Sequence, residues 1–531
     1  MPFHFYKLLN GLCLLGLMAS TSLLAQGNQE LSPGLIFNGE PFLAQNPQNP
    51  QELTVAWMGY KPGSRKLSIK TRTSLDGGDT WQGVLRLPHV QSGLGAADPT
   101  MAYDAQGTLY LAYIDFDRPS LQGGIYLRRS SDAGLTWQTP TTVMTFADDP
   151  GKYPVDRPWL QVGPGIGGTR VYITSMTAEG AQPPFHPYLH VSDNGGQSFR
   201  PWRYLDTAAW QAGSLIPLPM PTPAVAADGD FYAAYPSYVP GQLLPPQFVL
   251  AHSRDGGRSV QHRTLFAGSG TSAGNDSLSK KAYLLRADPA DSLHLAFFYF
   301  NSPQGHMDLF LRESYDGGRS WGGPVRINDD SLQLDRMQDM VWADFDADGD
   351  LVVAWRDRRN APSSGYQTAS EIMAAFRPAD STAFGANFPL SDSLVPYDSI
   401  LASAGNDFLS VSLHQDTLHA VWGAVRKGWL DIWYERRSLP GQQVSRQRLS
   451  ARPELEVYPV PARNGRLKIS SAQALQEIRL YDLGGGKTLR QWQGKGRKAL
   501  LLEVAALPPG SYGLEAQAVA GQSLYRRVVI R

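Results

Sequence analysis

Two short stretches carry the densest potential chemistry in the chain. YPVDRPWL brings together Tyr153, Asp156, Arg157 and Trp159, and AWRDRRN brings together Arg356, Asp357, Arg358 and Arg359. A guanidinium offers a planar fork of donors matched to a carboxylate or phosphate. A carboxylate can accept hydroxyl protons from a sugar or act as a general acid. Similar residues stand elsewhere at the ends of apolar runs: Asp98, Asp115, Asp117 and Arg118, then Arg336 and Asp339, Gly405-Asn406-Asp407, and Arg426. Brought to one place, Arg157, Arg336, Arg356, Asp357, Arg358, Arg426 and Asp115 would line a pocket for an anionic or polyhydroxylated ligand. Asp98 and Asp156 would be its candidate acids. The competing reading is structural, with Asp–Arg pairs tying neighbouring elements together and filling the centre. Arg157 and Arg356 are the strongest binding candidates, because each sits beside an acid at the end of a strand pattern.

Other chemistries find little footing. DFDADGD (344–350) imitates the start of a calcium loop, but the twelfth position from Asp344 is Trp355 rather than Glu, so a hairpin turn explains it better. The ten histidines show no paired metal-ligand spacing, and His186, His190 and His252 read as ordinary strand or loop residues. GPGIGG (163–168) reads as a turn, and no nucleophile elbow is present. No cofactor and no metal are expected.

The elements that must position these residues repeat. SLDGGDTW (74–81), SSDAGLTW (130–137), SDNGGQSF (192–199), SRDGGRSV (253–260) and SYDGGRSW (314–321) are versions of one octapeptide. Their third positions, Asp76, Asp132, Asn194, Asp255 and Asp316, fall at intervals of 56, 62, 61 and 61 residues. Such a period is too long for a solenoid and suits a four-stranded propeller blade. A hairpin of two apolar strands precedes each octapeptide, as in DPTMAYDAQGTLYLAYID (98–115) and MVWADFDADGDLVVAWRD (340–357). Further versions lie near 41–60, 157–176, 222–237, 280–300 and 406–426. Seven hairpins predict seven blades, or six if the first or last is an addition. The sixth and seventh octapeptides are worn down, around SEIMAAFRPADSTAF and LDIWYERRSLPGQQ. The octapeptide belongs at the turn between third and fourth strands, where glycine supplies a positive φ and Asp or Asn accepts turn amides. A device used five times is scaffolding, so its acid is not catalytic.

The Ser-x-Asp-x-Gly-x-Thr-Trp pattern resembles the Asp-box, or BNR repeat, of the sialidase-like propeller superfamily, over roughly residues 35 to 449. The resemblance implies an all-β Asp-box β-propeller. It also implies that ligands meet the face opposite the octapeptides, at the starts of first strands and just past the ends of second ones. Sialidases of this superfamily use an arginine triad, an Asp acid/base and a Tyr nucleophile helped by Glu. Glu179 and Glu371 are the glutamates found near the implied loops, with Tyr366 close to Glu371. The family's Phe/Tyr-Arg-Ile-Pro signature is absent; its nearest echo is Asp156-Arg157-Pro158-Trp159 in the third unit. The resemblance therefore implies a propeller that binds, and by one branch processes, glycans or another extracellular ligand. Its alternative is an active exo-sialidase or other glycoside hydrolase or lyase.

The two ends of the chain specify its route. At the start, Lys7 precedes a short apolar run and small residues, the pattern of a signal peptide over 1–25 cut near Ala25. The single cysteine, Cys13, lies inside it, so the mature chain is expected to have no thiol chemistry. Lys plus Arg equals Asp plus Glu at 48 each, which gives no field toward nucleic acid or membrane. Glycine (53) and proline (39) suit many short strands and tight turns. After the propeller, expected over 26–449, residues 450–531 read as a small β-sandwich. Val457-Tyr458-Pro459-Val460-Pro461, Tyr481-Asp482-Leu483-Gly484-Gly485, Leu507-Pro508-Pro509-Gly510-Ser511-Tyr512 and the basic-apolar RRVVIR terminus resemble the type A sorting domain of type IX secretion. That resemblance implies export through both membranes of a Gram-negative bacterium, with the secretion machinery as a partner.

Overall fold

In the computed structural model, the described residues are 27–32, 37–60, 66–165, 167–178, 180–239, 246–267, 283–301, 307–331, 336–397, 406–426, 430–439, 455–463, 465–482, 488–508, 510–519 and 523–530. The expected signal peptide, Cys13 and Glu179 lie outside them.

Seven four-stranded antiparallel sheets follow one another along the chain. Their first strands are Asn38–Gln45, Gly95–Tyr103, Asp156–Gly165, Thr222–Val225, Tyr283–Ala287, Asp339–Phe345 and Leu409–His414. Each first strand packs against the next, and the seventh packs against the first, so the sheets form the blades of a closed β-propeller. A blade is covered on both faces by its neighbours, which explains why inner strands read as continuous apolar runs rather than alternating ones. Leu351–Asp357, for example, is buried along its whole length. Trp57, Trp355 and Trp422 occupy like positions in second strands and are among the largest fully buried side chains.

Ring closure uses the start of the described chain. Gln29–Glu30 pairs with Leu430–Ser438 as the fourth strand of the last blade, with Gln29 opposite Tyr434. The octapeptide expected there is worn down for this reason: the fourth strand arrives from the other end of the sequence, so no third-to-fourth turn is needed.

The octapeptide turns share one construction. Ser74 Oγ donates to Asp76 Oδ1 at 2.8 Å and accepts Gly78 N at 2.8 Å, while Asp76 accepts the Thr80 amide at 2.9 Å and its hydroxyl at 2.5 Å. The same bonds recur at Asp132, Asp255 and Asp316, and at Asn194 with the hydroxyl bond reversed, Asn194 Nδ2 donating to Ser198 Oγ at 2.9 Å. The Thr80 hydroxyl, chief among these donors, holds the Asp76 carboxyl down at about 2. Each turn also reaches across to the preceding blade. A Cβ on Gly196 would sit 2.3 Å from Leu127, and one on Gly318 would sit 2.2 Å from Leu250. Turn carbonyls accept guanidiniums from that blade: Gly77 from Arg436 at 3.0 Å and Gly256 from Arg200 at 2.7 Å. Glycine is thus required twice, for its positive φ and for the close approach. The turns are blade-to-blade staples. Gly77 N bonds Gln51 O, and Gly317 N bonds Leu293 O, so they lie on the same end as the turns between first and second strands.

The sixth blade has no octapeptide, and an ion pair occupies the corresponding interface. Arg377 forks Glu313 of the fifth blade at 2.6 and 2.9 Å, and His294 bridges Glu313 to Asp288 at 2.8 Å on each side. The turn at DFDADGD is a hairpin turn, with Asp346 Oδ1 accepting the Asp348 and Asp350 amides at 3.0 Å.

Residues from Leu455 onward form a five-stranded sheet of their own, ordered Leu455–Arg463, Arg466–Asp482, Gly510–Ala518, Ser523–Ile530, with Thr488–Glu503 along Arg466–Asp482. Register shifts between Ser470 and Glu477 bend the 17-residue central strand. The first and last strands consequently pack together, and the sheet folds over a core that includes Leu467, Ile478 and Leu514. The expected sandwich is one sheet folded on itself.

Candidate functional site

The end of the axis opposite the octapeptides is built by a repeated backbone irregularity. The first strands of blades one, two, three and six each shift register, between Gly39/Phe42, Ala97/Thr100, Asp156/Trp159 and Asp339/Trp342. At each bulge one non-glycine residue takes a positive φ: Glu40 at 54°, Asp98 at 53°, Arg157 at 48° and Met340 at 59°. Three are followed by proline, Pro41, Pro99 and Pro158, which has no amide proton to leave unpaired. Backbones held in this region cost on the order of 1–3 kcal/mol each, and they re-aim side chains.

What they aim is a buried charge cluster. Arg157 Nη1 lies 3.0 Å from Glu40 Oε1 and 3.8 Å from Asp98 Oδ1, and Nη2 donates to Asp407. The Arg157 amide donates to Asp98 Oδ2 at 3.3 Å, and the guanidinium stands 4.8 Å from the Phe408 ring centre. Glu40 is 1% exposed and Arg157 5%. Burial pushes the Glu40 carboxyl well up; Arg157 opposes this, while Asp98 and Asp407 add to it. Although burial works against its charge, Arg157 is held firmly protonated by Glu40, Asp98 and Asp407. Beneath the cluster, Trp159 stacks on Trp342 at 5.4 Å and 11°, and Phe42 meets Trp342 edge-on at 5.0 Å. The cavity these groups enclose measures about 20 Å³, room for one water molecule.

The second arginine group is also paired. Arg356 Nε donates to Asp339 Oδ1 at 2.7 Å, and its Nη2 donates to Asp339 and to the Tyr366 hydroxyl at 3.0 Å. Arg358 Nη1 shares Asp339 Oδ1 at 3.1 Å, and its Nε donates to the Tyr366 carbonyl at 3.0 Å. Asp357 accepts Trp355 Nε1 at 2.7 Å and Arg359 Nη2 at 2.9 Å. Glu371 accepts Asn360 at 2.7 Å and is raised by burial and then by Asp357, with Asn360 opposing. Tyr366 and Glu371 thus have separate partners.

The remaining candidates lie around these two groups. Arg336 donates to the Ser363 carbonyl. Arg426 bonds Asp392 and Asn28, each at 2.7 Å, and sits 4.1 Å over Trp433. Asp115 accepts the Val90 amide at 2.7 Å and faces His89 Nδ1 at 2.9 Å. Asp156 opens the third inner strand and acts on Arg157 through its charge. Arg157, Asp98 and Asp407 are therefore brought together; Arg356, Arg358 and Tyr366 form a second group. Glu40, buried against Arg157, corrects the expectation that only Glu179 and Glu371 lie near these loops. Its signal was readable: GEP, ADP and DRP open the first three blades alike, each with a charged residue before proline.

Among solved structures, the chain is similar to a protein of unknown function from Dyadobacter fermentans (16% identity, 66% of this chain and 100% of that one, TM-score 0.40). It is also similar to an alpha-L-arabinanase from Penicillium chrysogenum complexed with arabinobiose (14%, 78% and 98%, TM-score 0.42) and to a Hadza microbial sialidase (13%, 76% and 66%, TM-score 0.39). No curated protein matches the sequence. No helix among the described residues is long and apolar enough to cross a membrane. Residues 456–531 match the model of the secretion system C-terminal sorting domain, so the protein carries a type IX export address and is secreted or displayed at the cell surface.

Proposed function

We propose that this is an exported Asp-box propeller that recognises an extracellular glycan or protein through its loop face without cleaving sialosides. In this reading residues 1–25 are a signal peptide, 26–449 the functional cargo and 450–531 the address. The observation that carries it is the grip on Arg157. Both terminal nitrogens of that guanidinium face protein carboxylates, from Glu40, Asp98 and Asp407. Even with Glu40 protonated, two carboxylates remain against one guanidinium, so the cluster repels rather than attracts an acidic sugar. Freeing Arg157 for a substrate would break buried pairs, at a cost of about 3–5 kcal/mol. Arg356 and Arg358 support the same reading, because both are committed to Asp339. What remains for recognition is the polar rim that includes Arg336, Arg426 and Asp392.

The exported chain applied to a glycan array, and incubated in parallel with a fluorogenic sialoside, tests this. Retention on particular glycans with no fluorophore release is the expected result. Release that Arg157→Ala abolishes in a folded variant would overturn it in favour of the alternative, an exo-sialidase or other glycoside hydrolase.

A further inference from the structure

The octapeptide end of the axis holds a second and larger space. Below the aromatic layer the axis widens into a cavity of about 340 Å³. Phe42 and Trp342 line both this space and the small cavity above, so they form the partition between them. Pro47 and Pro289 on its rim are exposed, and the space is a cup open to solvent between the hairpin turns.

The cup wall is polar but balanced in charge. Its charged groups are Arg286 and Asp344, which attract one another. Both are occupied by backbone: Arg286 donates to the Ala343 carbonyl at 2.7 Å and the Leu285 carbonyl at 3.2 Å, and Asp344 accepts the Leu413 amide at 3.0 Å. Trp342 covers the guanidinium at 4.7 Å. The other hydrogen-bonding groups are neutral. Ser412 donates to Gln45 at 2.9 Å, leaving the hydroxyl lone pairs, whereas no described residue takes up the Gln161 amide. A pocket of this size with a few neutral donors and acceptors on small apolar walls suits a small ligand rich in hydroxyls. An anion would meet one guanidinium whose charge Asp344 opposes, and a cation one carboxylate whose charge Arg286 opposes.

We propose that this cup binds a neutral, polyhydroxylated small molecule of one or two sugar units, at a site separate from the loop face. Gln161 is its principal free hydrogen-bonding group, and Gln45 and Ser412 complete the polar side. A ligand seated there would bridge inner strands of several blades and stabilise the ring from within.

Calorimetric titration of the full exported chain with lactose, maltose and cellobiose, and with sialyllactose and choline as anionic and cationic probes, tests the cup. At least one neutral disaccharide is expected to give saturable heat, weakened five-fold or more by Gln161→Leu. That variant removes no bond of the fold and is expected to keep the wild-type melting temperature. Its glycan-array pattern should be unchanged, since Gln161 lies at the other end from the loop face; this separates failure of the cup from failure of loop-face recognition. No saturable heat with any neutral disaccharide, heat that Gln161→Leu leaves intact, or tighter binding of either charged probe would overturn the proposal.

Discussion

Arg377 of the sixth blade holds Glu313 of the fifth through both terminal guanidinium nitrogens, at the interface where the repeated octapeptide staple is missing. The pair is largely buried, with side-chain exposures of 7% and 14%. Removing one partner of such a pair strands the other charge away from water. Arg377→Met is expected to cost about 3–5 kcal/mol, measured by denaturant unfolding, while Arg377→Met with Glu313→Leu should recover part of the loss.

The same network sets a pH window. Burial works against the Glu313 charge, but His294 and Arg377 hold the carboxyl well below the usual range. Its contribution is therefore full above about 4.3 and is lost as pH falls through the depressed folded value. Burial likewise works against charged His294, yet Asp288 and Glu313 raise it. Its contribution is full below about 6.5 and is lost as pH rises through the raised folded value. Both operate together between about pH 4.3 and 6.5. Melting temperature followed against pH should show the alkaline limb of this window flattened in His294→Gln.

The staples can be tested at one glycine. Gly318 has a φ of 76°, and a Cβ there would meet Leu250 at 2.2 Å. Gly318→Ala incurs both the left-handed backbone cost and an overpacked blade interface, together about 2 kcal/mol or more. Gly365→Ala is the control: its φ is 87° but nothing lies within 4 Å of the added carbon. Thermal unfolding should rank Gly318→Ala well below Gly365→Ala.

Replacing Arg157 by methionine leaves Glu40, Asp98 and Asp407 facing one another with no guanidinium. Stability should fall by about 3–5 kcal/mol at neutral pH. Part of the loss should return as pH drops, because uncompensated carboxylates have raised folded values and take up protons more readily than in the unfolded chain. Denaturant midpoints measured at two pH values decide this. An equal loss at both would mean that Arg157 acts by packing alone.

Deleting residues 27–32 removes the strand Gln29–Glu30 and the buried Leu31, which donates its amide to the Ile432 carbonyl at 2.8 Å. Leu430–Ser438 then presents an unpaired edge, the arrangement that recruits a strand from another molecule. A lower melting temperature is expected, together with concentration-dependent association detected by light scattering.

The repeated phrase was legible because its bonds close within eight residues. Ser74, Asp76, Gly78 and Thr80 satisfy one another locally, so their spacing alone announces the turn, and repetition announces the blades. Seven hairpins likewise counted the blades, since adjacent strands pair through short turns. The charge cluster obeys no such locality. Arg157 bonds Asp98 across 59 positions and Asp407 across 250, distances that only a closed ring converts into contact. The charged residue before proline in the first three blades could have flagged Glu40, but not that three carboxylates would converge on one arginine. Whether the arginines form a receptor for an acid or a set of locked pairs was likewise undecided by residue type, because the same Asp and Arg serve both. Side chains lifted toward the axis by strand bulges, with aromatic rings packed beneath them, set the pairings these residues adopt. The chain's own order wrote the blades and the export address; the curvature of the ring chose which charges meet.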